Sequence, residues 1–170
     1  MPETLAEINA MPPERFVHCF GDIAEHAAWV ARTAAEARPF ASRDAMVAAF
    51  AGAVRDAEPE RQLDLLRSHP DIAGKAAHAG AITVDSRREQ SGAGLDSVDP
   101  EEFTRFTMLN ERYRQRFGFP FILAVKGATK QQILAAFESR LGNGPEAERA
   151  TALSQVLRII CFRLEERVLP

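Results

Sequence analysis

At 170 residues, with 46% apolar content and a pI near 5.8, the chain is long enough for one well-filled core, and a single domain over 1–170 is expected. Its 21 Lys and Arg against 24 Asp and Glu give a formal charge of −3, which leaves no cationic excess to neutralise a phosphate backbone or hold an anionic bilayer. No nucleic acid and no membrane are therefore expected as partners, and without a basic leader or about 18 uninterrupted apolar residues the expected location is cytoplasmic.

In chain order almost every segment carries helix start and stop signals, while period-two alternation is nearly absent, so the expected class is all-α. Pro12 and Pro13 suit the first turn of a helix to about Phe20, with Phe16, Val17 and Phe20 as its apolar stripe. A second helix is expected over "IAEHAAWVARTAAEA", stopping before Pro39, with Trp29 in the core. Ser42 is the expected N-cap of "RDAMVAAFAGAVRDA", where Met46, Phe50 and Val54 recur at helical spacing. Pro59 opens the short helix "PERQLDLLRS".

The run Asp99-Pro100-Glu101-Glu102 combines a cap, a proline at the first helical position and a glutamate three residues after the cap. The long helix that follows puts Phe103, Phe106, Asn110, Tyr113 and Phe117 on one stripe and stops at Gly118. Thr129 with Gln132 opens another helix, and "GNGP" separates it from a last one reaching about Arg167. No repeat, low-complexity tract or linker interrupts this series.

One segment resists the helical reading. "FGFPFILAV" is apolar, aromatic and broken by Pro120, so it is expected to be extended, with no second strand to pair it. Its backbone groups must then find side chains, water or a ligand, which makes Phe121, Ile122, Leu123, Ala124 and Val125 either a pocket wall or a buried connector.

The polar residues leave similar pairs of readings. Cys19 and Cys161 are far apart in the chain, and His18, His26, His69 and His78 form no HxxxH or HExxH pattern, so no metal and no cofactor are expected. His69 precedes Pro70, which biases it out of helical dihedrals and ends the preceding helix near Ser68; there it either caps free carbonyls or occupies a site. Ser86 with Glu89 fits a capping box, or else opens a helix N-terminus to an anionic substrate with Glu89 and Gln90 beside it. A carboxylate close to an imidazole would raise its pKa toward neutrality or above. Arg163 flanks the last helix's stripe of Leu157, Ile160, Cys161 and Leu164, either snorkelling to solvent or forking a carboxylate or urea-like group. Asn110 is expected to brace the core.

Taken together, "RSHPDIAGKAA", "ITVDSRREQSGAGLD", "LNERYRQRFGFPFILAVKG" and "RIICFRL" resemble the decarboxylases of 2-oxo-4-hydroxy-4-carboxy-5-ureidoimidazoline (OHCU), and "EHAAWVARTAAEARPFAS" is similar to that family too. The resemblance runs over nearly the whole chain in the right order, with one departure: Ala28 stands where the family usually has proline before the tryptophan. It implies an all-α fold, decarboxylation of OHCU to (S)-allantoin in urate breakdown, no cofactor, and a homodimer. By motif match, His69 is the implied acid/base with Glu89 as its acidic partner. Pro70, the segment Ser86, Arg87, Arg88 and Gln90, and Phe121 to Val125 are the implied substrate contacts, with Arg163 an implied anchor. The motifs also leave room for a decarboxylase of another ureido or imidazoline acid, or for a non-catalytic helical binding module in which His69 and Glu89 only cap helices.

Overall fold

In a computed structural model that describes residues 1–74 and 81–170, the start and stop signals become nine α-helices among the described residues. They are α1 Leu5–Ala10, α2 Pro13–Phe20, α3 Ala28–Ala35, α4 Arg43–Arg55, α5 Pro59–Arg67, α6 Val84–Gly92, α7 Pro100–Phe117, α8 Lys130–Leu141 and α9 Pro145–Arg167. The only bridge of β type among the described residues joins Glu3 to Val168. The all-α expectation therefore holds, and no helix among these is long and apolar enough to cross a membrane. His78 lies outside the described residues.

The chain divides into two compact units, one of Met1–Ser68 with Val156–Pro170, the other of His69–Gln155. In the first, α3 packs on α2 and α4, and Phe16 gathers Phe20, Phe40 and Phe50 with ring centroids 5.0, 6.1 and 6.2 Å away. Ser42 caps α4 as its chemistry requires, accepting the Ala45 amide at 3.0 Å, and Met46, Phe50 and Val54 are buried. In the second unit, the Asp99 box closes in both directions, Asp99 accepting from the Glu102 amide at 2.8 Å and Glu102 accepting from the Asp99 amide at 3.2 Å. Helix α7 ends at Gly118, whose φ of 79° takes the left-handed cap without a side-chain clash. Below it Phe121 stacks on Phe137 with centroids 3.7 Å apart, and Tyr113 meets both edge-on.

Three expectations need correcting. The second helix begins at Ala28, five residues after Ile23, because Glu25 has φ 56°, a left-handed conformation that no right-handed helix contains. Ala28 is then the first helical residue, the position at which proline is also at home, so the departure from the family's usual residue leaves the helix start intact. Trp29 is only half-buried and lies beneath the Arg61 guanidinium, 4.5 Å from its ring centroid. The buried stripe of α9 in the first unit runs through Val156, Ile159, Ile160, Arg163 and Leu164, so Arg163 sits on the buried face and Leu157 and Cys161 only at its edges. A cysteine at that edge is held by burial and by Glu165 with its thiol pKa above the ordinary value; Cys19 and Cys161 are both free thiols.

A guanidinium on a buried face needs partners, and Glu25 explains both oddities at once. Arg163, 2% exposed, donates to the Glu25 carboxylate at 2.7 Å and to the Ile23 carbonyl at 3.0 Å, so the strained turn is where the first unit satisfies a buried charge. Glu25→Ala should therefore destabilise the protein by about 3–5 kcal/mol, against about 1 kcal/mol for removing the exposed cap in Asp99→Ala. Chemical unfolding of the two variants checks the difference.

Candidate active site

Helix α5 stops at Arg67 with Ser68 as its cap, and the chain enters the second unit as His69-Pro70-Asp71-Ile72-Ala73-Gly74 without helical structure. Pro70 accounts for the stop, since its ring disfavours helical dihedrals at His69. His69 is 5% exposed and Pro70 half-buried, so the imidazole is an interior group and not a solvated cap.

Three side chains pin this loop. Gln90 on α6 accepts the Ala73 amide at 3.0 Å through Oε1 and donates Nε2 to the Asp71 carbonyl at 3.3 Å. Ala73 has φ 51°, a strained value for alanine, and the Gln90 amide holds the residue there. Asn110 on α7 donates to the Ile72 carbonyl at 2.9 Å, and Arg114 one turn later meets the Asp71 carboxylate at 2.8 Å. Gly74 completes the loop because an added Cβ would fall 2.7 Å from the Asp71 Cβ. Asn110 thus braces the interior as expected, but only its nitrogen is bonded: its buried Oδ1 has no partner among the described residues.

The capping box read at Ser86 and Glu89 is not formed. The N-cap of α6 is Thr83, which accepts the Ser86 amide at 3.3 Å, so Ser86 sits in the first turn and Glu89 in the middle of the helix. The helix starts three residues earlier because Thr83 is itself a good cap. Ser86 and Gln90, one turn apart, are buried and Glu89 beside them is half-buried, whereas Arg87 and Arg88 are exposed. Of the acidic and basic residues in "SRREQ", only Glu89 lies on the flank of the buried face.

The segment Phe121 to Val125 has no helix, turn or β-ladder, so its backbone groups need partners from elsewhere, as the sequence implies. Phe121, Ile122 and Val125 are buried, Leu123 and Ala124 half-buried. Side chains satisfy part of its backbone: Gln155 accepts the Ala124 amide at 3.0 Å, and Arg140 donates to the Ile122 carbonyl at 2.6 Å. His69, Pro70, Ser86, Glu89, Gln90 and the extended segment all belong to the second unit; Arg163 belongs to the first.

The family model described as OHCU decarboxylase matches residues 9–165 of this chain. The chain belongs to that family. It is 43% identical over 164 residues to the 2-oxo-4-hydroxy-4-carboxy-5-ureidoimidazoline decarboxylase of Haloferax volcanii, covering 96% of this chain and 95% of the relative. It is 42% identical over 163 residues to the uric acid degradation bifunctional protein PucL of Bacillus subtilis, covering 96% of this chain and 32% of that longer protein. Among solved structures, an (S)-allantoin synthase superposes with a TM-score of 0.80 at 31% identity, covering 99% of this chain and 54% of the other, so the chain spans about half of that molecule. An OHCU decarboxylase crystallised in the presence of (S)-allantoin shares the fold, with a TM-score of 0.70 at 19% identity, over 85% of this chain and 94% of the other.

For an OHCU decarboxylase family member, the residues that sequence reasoning missed are the braces: Arg114 on Asp71, Gln155 on Ala124 and Arg140 on Ile122. None carries a local signal, since each is one polar residue on a helix whose partner lies many positions away. The braces also differ in kind. Gln90→Leu strands a buried amide and a carbonyl, at about 1–3 kcal/mol for each group left unsatisfied. Asn110→Leu strands one carbonyl but removes an unpartnered buried oxygen, so it should cost measurably less. Thermal unfolding ranks the pair, and in Gln90→Leu the Ala73 amide should exchange with solvent much faster than in the native protein.

Proposed function

We propose that this chain decarboxylates OHCU to (S)-allantoin, with His69 and Glu89 as the acid/base pair. The observation that carries the reading is a buried histidine on a loop held rigid by α6 and α7, in a chain matched by the OHCU decarboxylase model over 9–165.

The chemistry suits a protein working without a cofactor. When the C–CO2 bond breaks, its electron pair moves into the adjacent ring C=N, so the substrate is its own electron sink. What the protein must add is orientation of the carboxylate out of the ring plane, polarisation of the sink, and one proton to one face of the carbon. His69 accepts the proton of the substrate hydroxyl or donates one to the product carbon, and Glu89 orients the imidazole. Ser86 and Gln90 bound the same helix face, and Pro70 forms the rim; Arg163, the anchor that the resemblance implies, has its guanidinium engaged by the Glu25 carboxylate and the Ile23 carbonyl in the first unit. Arg87 and Arg88 contribute through their backbone position in α6 and not through buried side chains. The working enzyme is a cytoplasmic homodimer.

Two findings support the roles. His69 is buried while Pro70 beside it is half-exposed, the placement of a group reached from a rim. Glu89 sits mid-helix on the flank of the buried face that carries Ser86 and Gln90, because Thr83 and not Ser86 caps α6.

Generating the substrate from urate with urate oxidase and hydroxyisourate hydrolase, then following its decay and the chirality of the product, tests the reading. His69→Ala should lower kcat by about 10²–10⁴-fold, the usual contribution of a positioned acid/base group, and Glu89→Ala should do so in part. Wild-type rates in either variant, or racemic allantoin from the native protein, would sink the assignment.

A further inference from the structure

The extended segment is held from one side by a buried ionic cluster in the second unit. Arg140 is 8% exposed and Glu148 0%, and Arg140 Nε meets Glu148 Oε1 at 2.6 Å. Tyr113 donates its hydroxyl to the same oxygen at 2.5 Å, and Asn143 donates to Oε2 at 2.9 Å. Burial, and donation to Glu148, hold the Tyr113 phenol above its ordinary pKa, so it stays protonated and keeps donating. The guanidinium lies over Phe121, 4.4 Å from the ring centroid; its Nη1 donates to the Ile122 carbonyl at 2.6 Å and its Nη2 to the Tyr113 hydroxyl at 3.5 Å.

A trans peptide points its C=O and the following N–H in opposite directions. Drawing the Ile122 carbonyl onto Arg140 therefore turns the Leu123 N–H away from the cluster. Leu123 and Ala124 are half-buried, between the buried Ile122 and Val125. The next peptide is set in the same way, since the Ala124 N–H is taken by Gln155 and the Leu123 carbonyl must face away from it. No bond within the described residues occupies the Leu123 N–H.

We propose that Arg140 is a positioning residue, which aims the Leu123 N–H as the segment's donor to an electron-rich carbonyl oxygen of the substrate. The proposal rests on the functional reading above, in which Phe121 to Val125 line the substrate. As carbon dioxide leaves, negative charge spreads from the C=N onto a conjugated oxygen, and a fixed amide there is worth more in the transition state than in the ground state. Arginine is suited to the task because one planar fork can bind a carboxylate and a carbonyl at once. Lysine keeps the charge opposite Glu148 but loses the fixed fork.

The first test needs no variant. In amide correlation spectra of the full chain titrated with (S)-allantoin, the Leu123 resonance should shift along with those of Ser86 and Gln90. A static Leu123 amide while the α6 amides move overturns the proposal and leaves the function standing. No shift anywhere, together with no turnover of fresh substrate, overturns both. The second test compares Arg140→Lys with Asp99→Ala, a variant destabilised far from the cluster. Arg140→Lys should lose about 10–100-fold in kcat with a smaller change in KM, the signature of a misaimed oxyanion donor, while Asp99→Ala keeps native kinetics. Native kcat in folded Arg140→Lys would overturn the proposal; if that variant does not fold, the Leu123 shift decides.

Discussion

A guanidinium buried as deeply as that of Arg140 cannot stand without a carboxylate, and much of the second unit is arranged around meeting that need. The pair with Glu148 ties α8 to α9, Tyr113 brings in α7, and Arg140 Nη1 secures the Phe121–Val125 segment at the Ile122 carbonyl. Stability alone does not explain such a cluster, since well-packed apolar residues in place of a buried ion pair are often as stable or more so. What apolar residues cannot do is hold a backbone carbonyl in a chosen direction. The direction of the Ile122 peptide is the property that distinguishes this arrangement from a greasy core of the same volume.

The same logic recurs wherever the chain leaves helical geometry. A helix satisfies its own backbone; a loop inside a protein does not, and each buried N–H or C=O must be met from outside. The backbone of the His69 loop is met by Gln90 and Asn110. In the first unit Asn9 exchanges two hydrogen bonds with Phe40, and Arg163 serves the Ile23 turn. Long polar side chains on helices act as the missing half of the loops' hydrogen bonding, and the two loops that carry the proposed site are among those so held.

The helices were legible in the sequence because their signals are local. Ser42, Asp99 and Thr129 are caps whose partners lie three residues away, and Gly118 needs nothing but its own φ. Failures came where a distant partner decided a local conformation. Glu25 breaks the expected second helix in a turn secured by a residue 138 positions away, and no spacing rule reaches that far. The capping box at Ser86 and Glu89 fails for a different reason: two overlapping capping patterns compete, and Thr83, placed three residues before Ser86, wins. The site's residue types were legible as motifs, but His69 by local rules alone was a helix-end residue. Burial, which the sequence does not print, separates a capping imidazole from an interior one. The braces were invisible because each is a single ordinary polar residue.

These observations bear on how a small helical protein handles a reactive substrate. If the substrate carries its own electron sink, catalysis depends less on a chemically special group than on geometry held against thermal motion, and a misplacement of about 1 Å can cost 100-fold in rate. Helices are rigid but their backbone is already bonded, so they offer a substrate mainly side chains. Loop backbone offers free amides and carbonyls but is soft. The architecture here combines the two: non-helical backbone at His69 and at Leu123 is locked by helical side chains that do not themselves react. On this view the strained Ala73 and the buried Arg140 are two solutions to one problem, that of making irregular backbone as stiff as a helix while leaving selected polar groups for a ligand.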